Sequence, residues 1–347
     1  MHITFLVPCK DLAGGLKVVT AYGNALLRRG HDVTVIYPER KFPWKEKYKR
    51  KIKRWLYQEK DHLDFFKGKL IQVPNLNETT VPEADILVST AWETVIASQD
   101  FPDAKGKKYY LIQHYETWSG EVEVVQQTYR QTNFQKIVIS KWLKDKITSL
   151  TGETNIPLIP NGRDLFLSEY KGEGLERGYD LGMMYSTVAF KRSDIGLQAI
   201  LAILKQFPKL KVILFGSEYP KEKLPSNIQF HRRPPQAKIK EYYSATKIWI
   251  SSSEVEGFCL PALEAISCGC AVVATDSGGV RDIIQHGFNG SLVAPNQPEE
   301  LSQEIAKLLQ DEKLQILYRN NGLTSAENFS WEHSTKSLED LFQGVSS

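Results

Sequence analysis

At 347 residues, with 41% hydrophobic and 24% charged residues, the chain is long enough for two ordinary domains with full cores and reads as a soluble globular protein. Its net charge of +3 forces no partner, and its four cysteines, Cys9, Cys259, Cys268 and Cys270, are too few and too apolar in setting for a secreted disulfide framework or a zinc site, so reduced thiols in a cytoplasmic protein are expected. No segment approaches the ~20 apolar residues of a membrane span.

Met1–Pro8 (MHITFLVP) has no basic leader region and reads as a first strand. Cys9–Leu16 (CKDLAGGL) follows, then Val18, Val19, Tyr22, Ala25 and Leu26 at helical spacing, and His31–Tyr37 as a second strand. Gly14 and Gly15 therefore lie at a strand-to-helix junction. They fit either a close backbone approach to a ligand or a plain tight turn.

Lys41–Lys60 (KFPWKEKYKRKIKRWLYQEK) is crowded with lysine and arginine, while Trp44, Tyr48, Ile52, Trp55 and Leu56 recur every three or four positions. On a helix those residues share a face opposite the basic side chains. Such a segment can lie on an anionic membrane surface or pack its apolar stripe on its own domain. Nucleic acid is the weaker reading, because no recognised nucleic-acid module accompanies the patch.

Ala84–Ser89 and Lys108–Ile112 read as strands, and the second runs directly into His114. A histidine just past a strand end can face a cleft and hydrogen-bond a substrate, or serve structure alone. Lys136–Ser140 is a further strand and Trp142–Leu150 a helix, before Ile156–Gly162 ends the first half in turn formers. A second alternating pattern follows: Leu181–Tyr185, the helix Ser193–Gln206, the strand Lys211–Gly216, the strand Ile228–His231 and the helix Ala237–Thr246. The fold class is α/β, with two Rossmann-like domains facing a cleft.

Lys247–Ser251 and Ala271–Thr275 are short, apolar, β-branched runs that flank Glu256, Gly257 and a helix beginning near Leu260, where Pro261 suits the first turn. This strand–loop–helix–strand unit puts Glu256 on a ligand-facing loop beside the positive end of a helix. Glu264 follows eight positions later. Eight fully helical residues would span about 12 Å, wider than the ~5–9.5 Å between the carboxyls of a glycosidase pair. Pro298–Leu309 reads as a helix, and the tail starts at Phe329.

Ser253–Phe258, Leu260–Ala265, Gly269, Val272–Thr275 and Gly278–Gly279 together resemble the Glu-x7-Glu signature of glycosyltransferase family 4, whose members are retaining, nucleotide-sugar-dependent enzymes of the GT-B fold. Ile159–Gly162 resembles the family's interdomain segment, Gly14–Gly15 its N-terminal glycine loop, and Phe329–Trp331 the start of its final helix. The resemblance implies an acceptor-side domain over 1–162, a nucleotide-sugar domain over 163–328, and a terminal helix over 329–347 that packs back towards the first domain. It implies that Glu256 contacts the donor sugar, that Glu264 accepts hydrogen bonds from the ribose, that Lys191 holds the diphosphate and that His114 touches the donor sugar. Gly14, Gly15, Gly216, Arg192, Gly257, Phe258, Cys259 and Leu260 are the remaining expected donor contacts. No metal or cofactor is implied, and the acceptor is expected to be a glycan or a lipid-linked glycan of a cell-surface polymer, reached by a cytoplasmic enzyme peripheral to the membrane.

Three positions depart from the family pattern. Tyr185-Ser186-Thr187 stands where an arginine is common, Arg192 where a glycine follows the lysine, and Cys259 where a glycine follows Phe258. They bear on the phosphate contacts more than on the fold. A GT-B sugar-nucleotide epimerase, which needs no acceptor, and a catalytically silent GT-B subunit are the competing readings.

Overall fold

The computed structural model describes residues 1–39, 60–163 and 177–345. They form two compact units, Met1–Asn161 with Trp331–Ser347 and Gly162–Ser330. The basic aromatic segment Lys41–Lys60 lies, apart from Lys60, outside the described residues.

The first unit is built on a six-stranded parallel sheet of β1 (His2–Leu6), β2 (Asp32–Pro38), β3 (Lys69–Val73), β4 (Ile86–Ser89), β5 (Lys107–Ile112) and β6 (Gln135–Val138). Its strand order is β3-β2-β1-β4-β5-β6. This is the Rossmann order, in which chain direction across the sheet reverses between the first and fourth strands. The central strands are buried on both faces, which is why they read as continuous apolar runs rather than as alternation. Helices α1 (Gly14–Arg28), α2 (Trp92–Ser98), α3 (Val122–Tyr129) and α4 (Lys141–Thr151) cover the sheet. The terminal helix Trp331–Gln343 belongs to the same unit. Its Glu339 accepts from Arg29 Nε at 2.7 Å and lies 2.7 Å from His31 Nε2, and Phe342 meets Tyr109 edge-on at 4.7 Å.

The second unit repeats the plan. Strands β7 (Tyr179–Tyr185), β8 (Val212–Gly216), β9 (Ile228–Arg232), β10 (Thr246–Ser251), β11 (Ala271–Thr275) and β12 (Ser291–Val293) pair in parallel in the order β12-β11-β10-β7-β8-β9. Counted from β7 this is again 3-2-1-4-5-6 read across the sheet, with its reversal between β7 and β10. Helices α5 (Ser193–Gln206), α6 (Gln236–Ser244), α7 (Leu260–Ser267), α8 (Pro298–Gln310) and α9 (Glu312–Ala326) complete it. A continuous apolar core joins Leu181, Met183, Ile200, Leu214, Ile250, Val273 and Ile305. Among the described residues, no helix is long and apolar enough to cross a membrane.

The expected strand–loop–helix–strand unit is present as β10–α7–β11, with Ile250 in register with Val273. Helix α7 starts at Leu260, where it was expected, with Glu256 on the loop before it, so only the stretch from Leu260 to Glu264 is helical. The 12 Å rise of an unbroken helix does not describe the glutamate pair.

Candidate active site

In open parallel sheets, ligands bind beyond the carboxyl ends of the strands, at the point where strand order reverses. In the second unit that point lies between β7 and β10. Lys191 follows β7 and Glu256 follows β10, and the two meet there: Lys191 Nζ donates to Glu256 Oε1 at 2.7 Å. Glu256 is 6% exposed, so this carboxylate depends on its partners to offset its desolvation. Ser253 Oγ supplies a second donor, also at 2.7 Å to Oε1. The Lys191 pKa is raised: burial pulls it down, but the Glu256 charge and hydrogen bond more than reverse this.

The backbone around Glu256 is fixed on both sides. Its N–H donates to Ser277 O at 2.8 Å, and its carbonyl accepts from Gly279 N at 3.0 Å. Gly279 has to be glycine, since a Cβ there would stand 2.3 Å from Gly257 O and 2.7 Å from Phe258 N. Phe258 itself is buried and packs edge-on to Phe329 at 5.7 Å. Gly257 and Phe258 therefore form a rigid floor leading into α7.

Cys259, the residue before α7, adopts the left-handed conformation at φ 77° and ψ 60°. That geometry explains why glycine is the usual residue in the resembling pattern. The Cys259 thiol is buried with Sγ 3.4 Å from Ser251 Oγ, and burial beside the Glu256 charge pushes its pKa up to about 12. Leu260 opens α7, and Glu264 sits one turn in. Tyr243, fully buried on α6, donates its hydroxyl to Glu264 Oε2 at 2.9 Å, and its ring lies 4.3 Å from that of Trp249. The Glu264 charge is felt at Lys191.

The other two expected donor contacts of this unit sit differently. Gly216 ends β8 opposite Tyr185, and a Cβ there would lie 2.2 Å from Tyr185 O, so strand spacing alone requires this glycine. Arg192, at φ 42°, is held by Asp194 at 3.1 Å and Glu254 at 3.7 Å and also bonds Asn296. Its guanidinium is engaged by carboxylates of its own unit.

In the first unit, α1 starts at Gly14, with Ala13 as its cap. A Cβ on Gly15 would stand 3.2 Å from Gln113 Nε2, so the turn after β1 lies against the residue that precedes His114. His114 follows β5. Its Nδ1 accepts from Trp118 Nε1 at 3.3 Å, and the two rings cross at 83°. The same Nδ1 lies 3.2 Å from Tyr115 O.

Glu116 holds this turn down. Its Oε2 accepts the N–H of Trp92, the first residue of α2, at 3.0 Å, while its own N–H donates to Tyr129 Oη at 2.9 Å. Tyr129 Oη in turn donates to His114 O at 3.2 Å. Burial pushes the Glu116 carboxyl up to about 8, opposed by the Trp92 N–H and reinforced by Glu93. Ser253, Tyr243 and Glu116 are the participants that the sequence analysis did not single out. Ser253 lies inside the recognised motif, whereas Tyr243 and Glu116 carry no local signal and become visible only once distant elements are packed. Among the described residues, no group of three or more His, Cys, Asp or Glu side chains could hold a metal ion.

Residues 183–324 match the family model of glycosyl transferases group 1. An uncharacterized glycosyltransferase of Methanocaldococcus jannaschii is 27% identical over 226 residues, 63% of this chain and 62% of that one. The poly(glycerol-phosphate) alpha-glucosyltransferase of Bacillus subtilis is 31% identical over 142 residues, 39% of this chain and 21% of that one. The chain thus spans less than two thirds of the length of the curated relatives it matches. Among solved structures, Anabaena HepE in complex with UDP and glucose is similar with a TM-score of 0.78 at 17% identity, covering 99% of this chain and 100% of that one. The two Rossmann-ordered sheets and this likeness make the fold GT-B, and residues 183–324 are similar to glycosyl transferases group 1.

Proposed function

We propose that the protein is a retaining glycosyltransferase that moves a hexosyl unit from a nucleotide-sugar donor to a glycan or lipid-linked acceptor, in the synthesis of a cell-surface polymer. The observation that carries this reading is the Lys191–Glu256 pair at the strand reversal of the second unit, inside the region that matches the glycosyl transferase family. Breaking the anomeric bond of a nucleotide sugar leaves negative charge on a diphosphate and positive charge on the sugar, so the site needs a cation and an anion side by side. An ammonium has three N–H donors and can keep Glu256 while offering the others to phosphate oxygens. Glu256 then stabilises the sugar cation, and Glu264, steadied by Tyr243, accepts from the ribose hydroxyls. Retention follows if the acceptor attacks from the face that the diphosphate leaves, the phosphate taking the acceptor's proton. Within the first unit, taken by itself, Gly14, Gly15 and His114 are proposed as ligand contacts. HepE's complex with UDP and glucose supports UDP-sugars as the first donors to try, and the poly(glycerol-phosphate) alpha-glucosyltransferase supports a hexosyl donor.

Binding of UDP, GDP and dTDP, followed by calorimetry, tests the donor half of the proposal. One of the three should bind the native protein, and Lys191→Gln, which keeps a hydrogen bond to Glu256 but removes the charge, should weaken it by about ten-fold or more. Equal binding by both proteins would remove Lys191 from the phosphate site.

A further inference from the structure

Trp118 is, among the described residues, the only exposed tryptophan, with 54% of its surface open to solvent. It is not a loose side chain. Its Nε1 lies 3.3 Å from His114 Nδ1, and its ring stands at 83° to the imidazole. The turn that carries it is tied down on both sides of the indole. Glu116 bonds the start of α2, Ser119 N donates to Glu116 O at 2.9 Å, and Trp92 Nε1 donates to Ser119 Oγ at 3.0 Å. Gly120 lies so close to the Trp92 ring that a Cβ would stand 2.7 Å from it. Beyond the turn, Val122 and Val124 of α3 are also exposed, at 53% and 37%. A large aromatic surface held rigid and left in water loses little entropy when it binds, which suits it to recognition.

We propose that Trp118 is the stacking platform for a sugar ring of the acceptor. This rests on the glycosyltransferase reading above, and extends it to a residue and a ligand class. A pyranose presents one face of C–H groups, apolar and slightly positive, which matches the negative face of an indole, while its hydroxyls remain at the rim for polar groups. The neighbouring charges select the occupant. Glu121 and Glu123 flank Val122 and are exposed, and Glu123 is paired with Arg130 at 3.1 Å. Acidic residues three and five positions along the chain from the indole suit an anionic lipid surface poorly, and are compatible with an uncharged, hydroxyl-rich ligand. The contact with His114 then joins the platform to a ligand contact proposed for the same unit.

Saturation-transfer NMR with methyl glucosides, mannosides, galactosides and N-acetylglucosaminides tests the proposal, with UDP and GDP binding measured on the same samples. At least one glycoside should bind the native protein. Trp118→Ala should weaken that binding about three- to ten-fold, whereas Trp118→Phe, which keeps a ring face, should retain most of it, and nucleotide binding should be the same in all three. The proposal is overturned if no glycoside binds the native protein, or if Trp118→Ala binds as well as native. It is equally overturned if the only change in Trp118→Ala is lost cosedimentation with phosphatidylglycerol vesicles, which would make the indole a membrane contact. Glycoside binding that depends on Trp118 in a protein that binds neither nucleotide would uphold the sugar platform and refute the donor reading, so the two can fail separately.

Discussion

The Glu256 carboxylate carries two donors on one oxygen, Lys191 and Ser253, and its own N–H and C=O are tied to Ser277 and Gly279. Such a group cannot swing away from the strand ends, so its charge is held where a donor sugar would need it. The three cysteines nearby are governed by burial instead. Burial pushes Cys259 up to about 12 and Cys270 up to about 11, and raises Cys268 as well. A thiol reacts through its thiolate, so none of these should be a nucleophile near neutral pH. Cys9 is also buried, and none of the four cysteines is in a disulfide. Titration with a thiol reagent should therefore find almost no fast-reacting group in the native protein and four after denaturation. A fast native thiol would contradict the packing described around α7 or β1. The motif residues themselves were legible in the sequence, because the chemistry of a loop before a helix is local. Their pairings were not: the Tyr243 hydroxyl reaches Glu264 across 21 positions, and Lys191, itself expected at the site, reaches Glu256 across 65.

At the scale of elements, the turn between β5 and α3 is locked by a carboxyl that prefers to stay protonated. The unfolded chain ionises Glu116 in the ordinary carboxylate range, while the native state holds the proton up to about 8. Between those limits the native protein binds more protons than the unfolded chain, so this group lowers stability as pH rises through the window. Glu116→Gln, a neutral isostere able to accept the Trp92 N–H, should flatten the fall in urea midpoint between about pH 5 and pH 8. An unchanged slope would show that Glu116 ionises normally in the fold. The loop after Glu256 offers a steric counterpart. Gly279→Ala would drive a methyl group into the Gly257 carbonyl and should destabilise the protein by about 1–3 kcal/mol, measurable by denaturant unfolding. Full retention of stability would mean that the Gly257–Phe258 backbone can yield.

Element boundaries followed the same logic of local signal. The runs KIWIS and AVVAT are strands because β-branched, fully buried segments have few alternatives, and α5 matches its expected limits, Ser193–Gln206. Strand β3 escaped notice because it lies at a sheet edge, with a half-exposed, mixed sequence, KLIQV. Helix α9 escaped for a different reason. Its buried positions are Tyr318, Gly322 and Ala326, two of them small, so it packs by close approach and shows almost no apolar stripe. Gly322 rests on Ile266 of α7, where a Cβ would stand 3.2 Å away.

For the whole molecule, the repeated 3-2-1-4-5-6 order is the feature from which function follows, since it creates a strand reversal in each unit and puts Lys191 and Glu256 at one of them. The most direct test of the account is release of nucleoside diphosphate from a panel of UDP-, GDP- and dTDP-sugars by the purified protein and by Glu256→Ala. The account predicts turnover of at least one donor by the native protein and a loss of about 10²–10³-fold in the variant. Equal rates in both proteins, or no turnover of any donor with or without glycan acceptors, would contradict it.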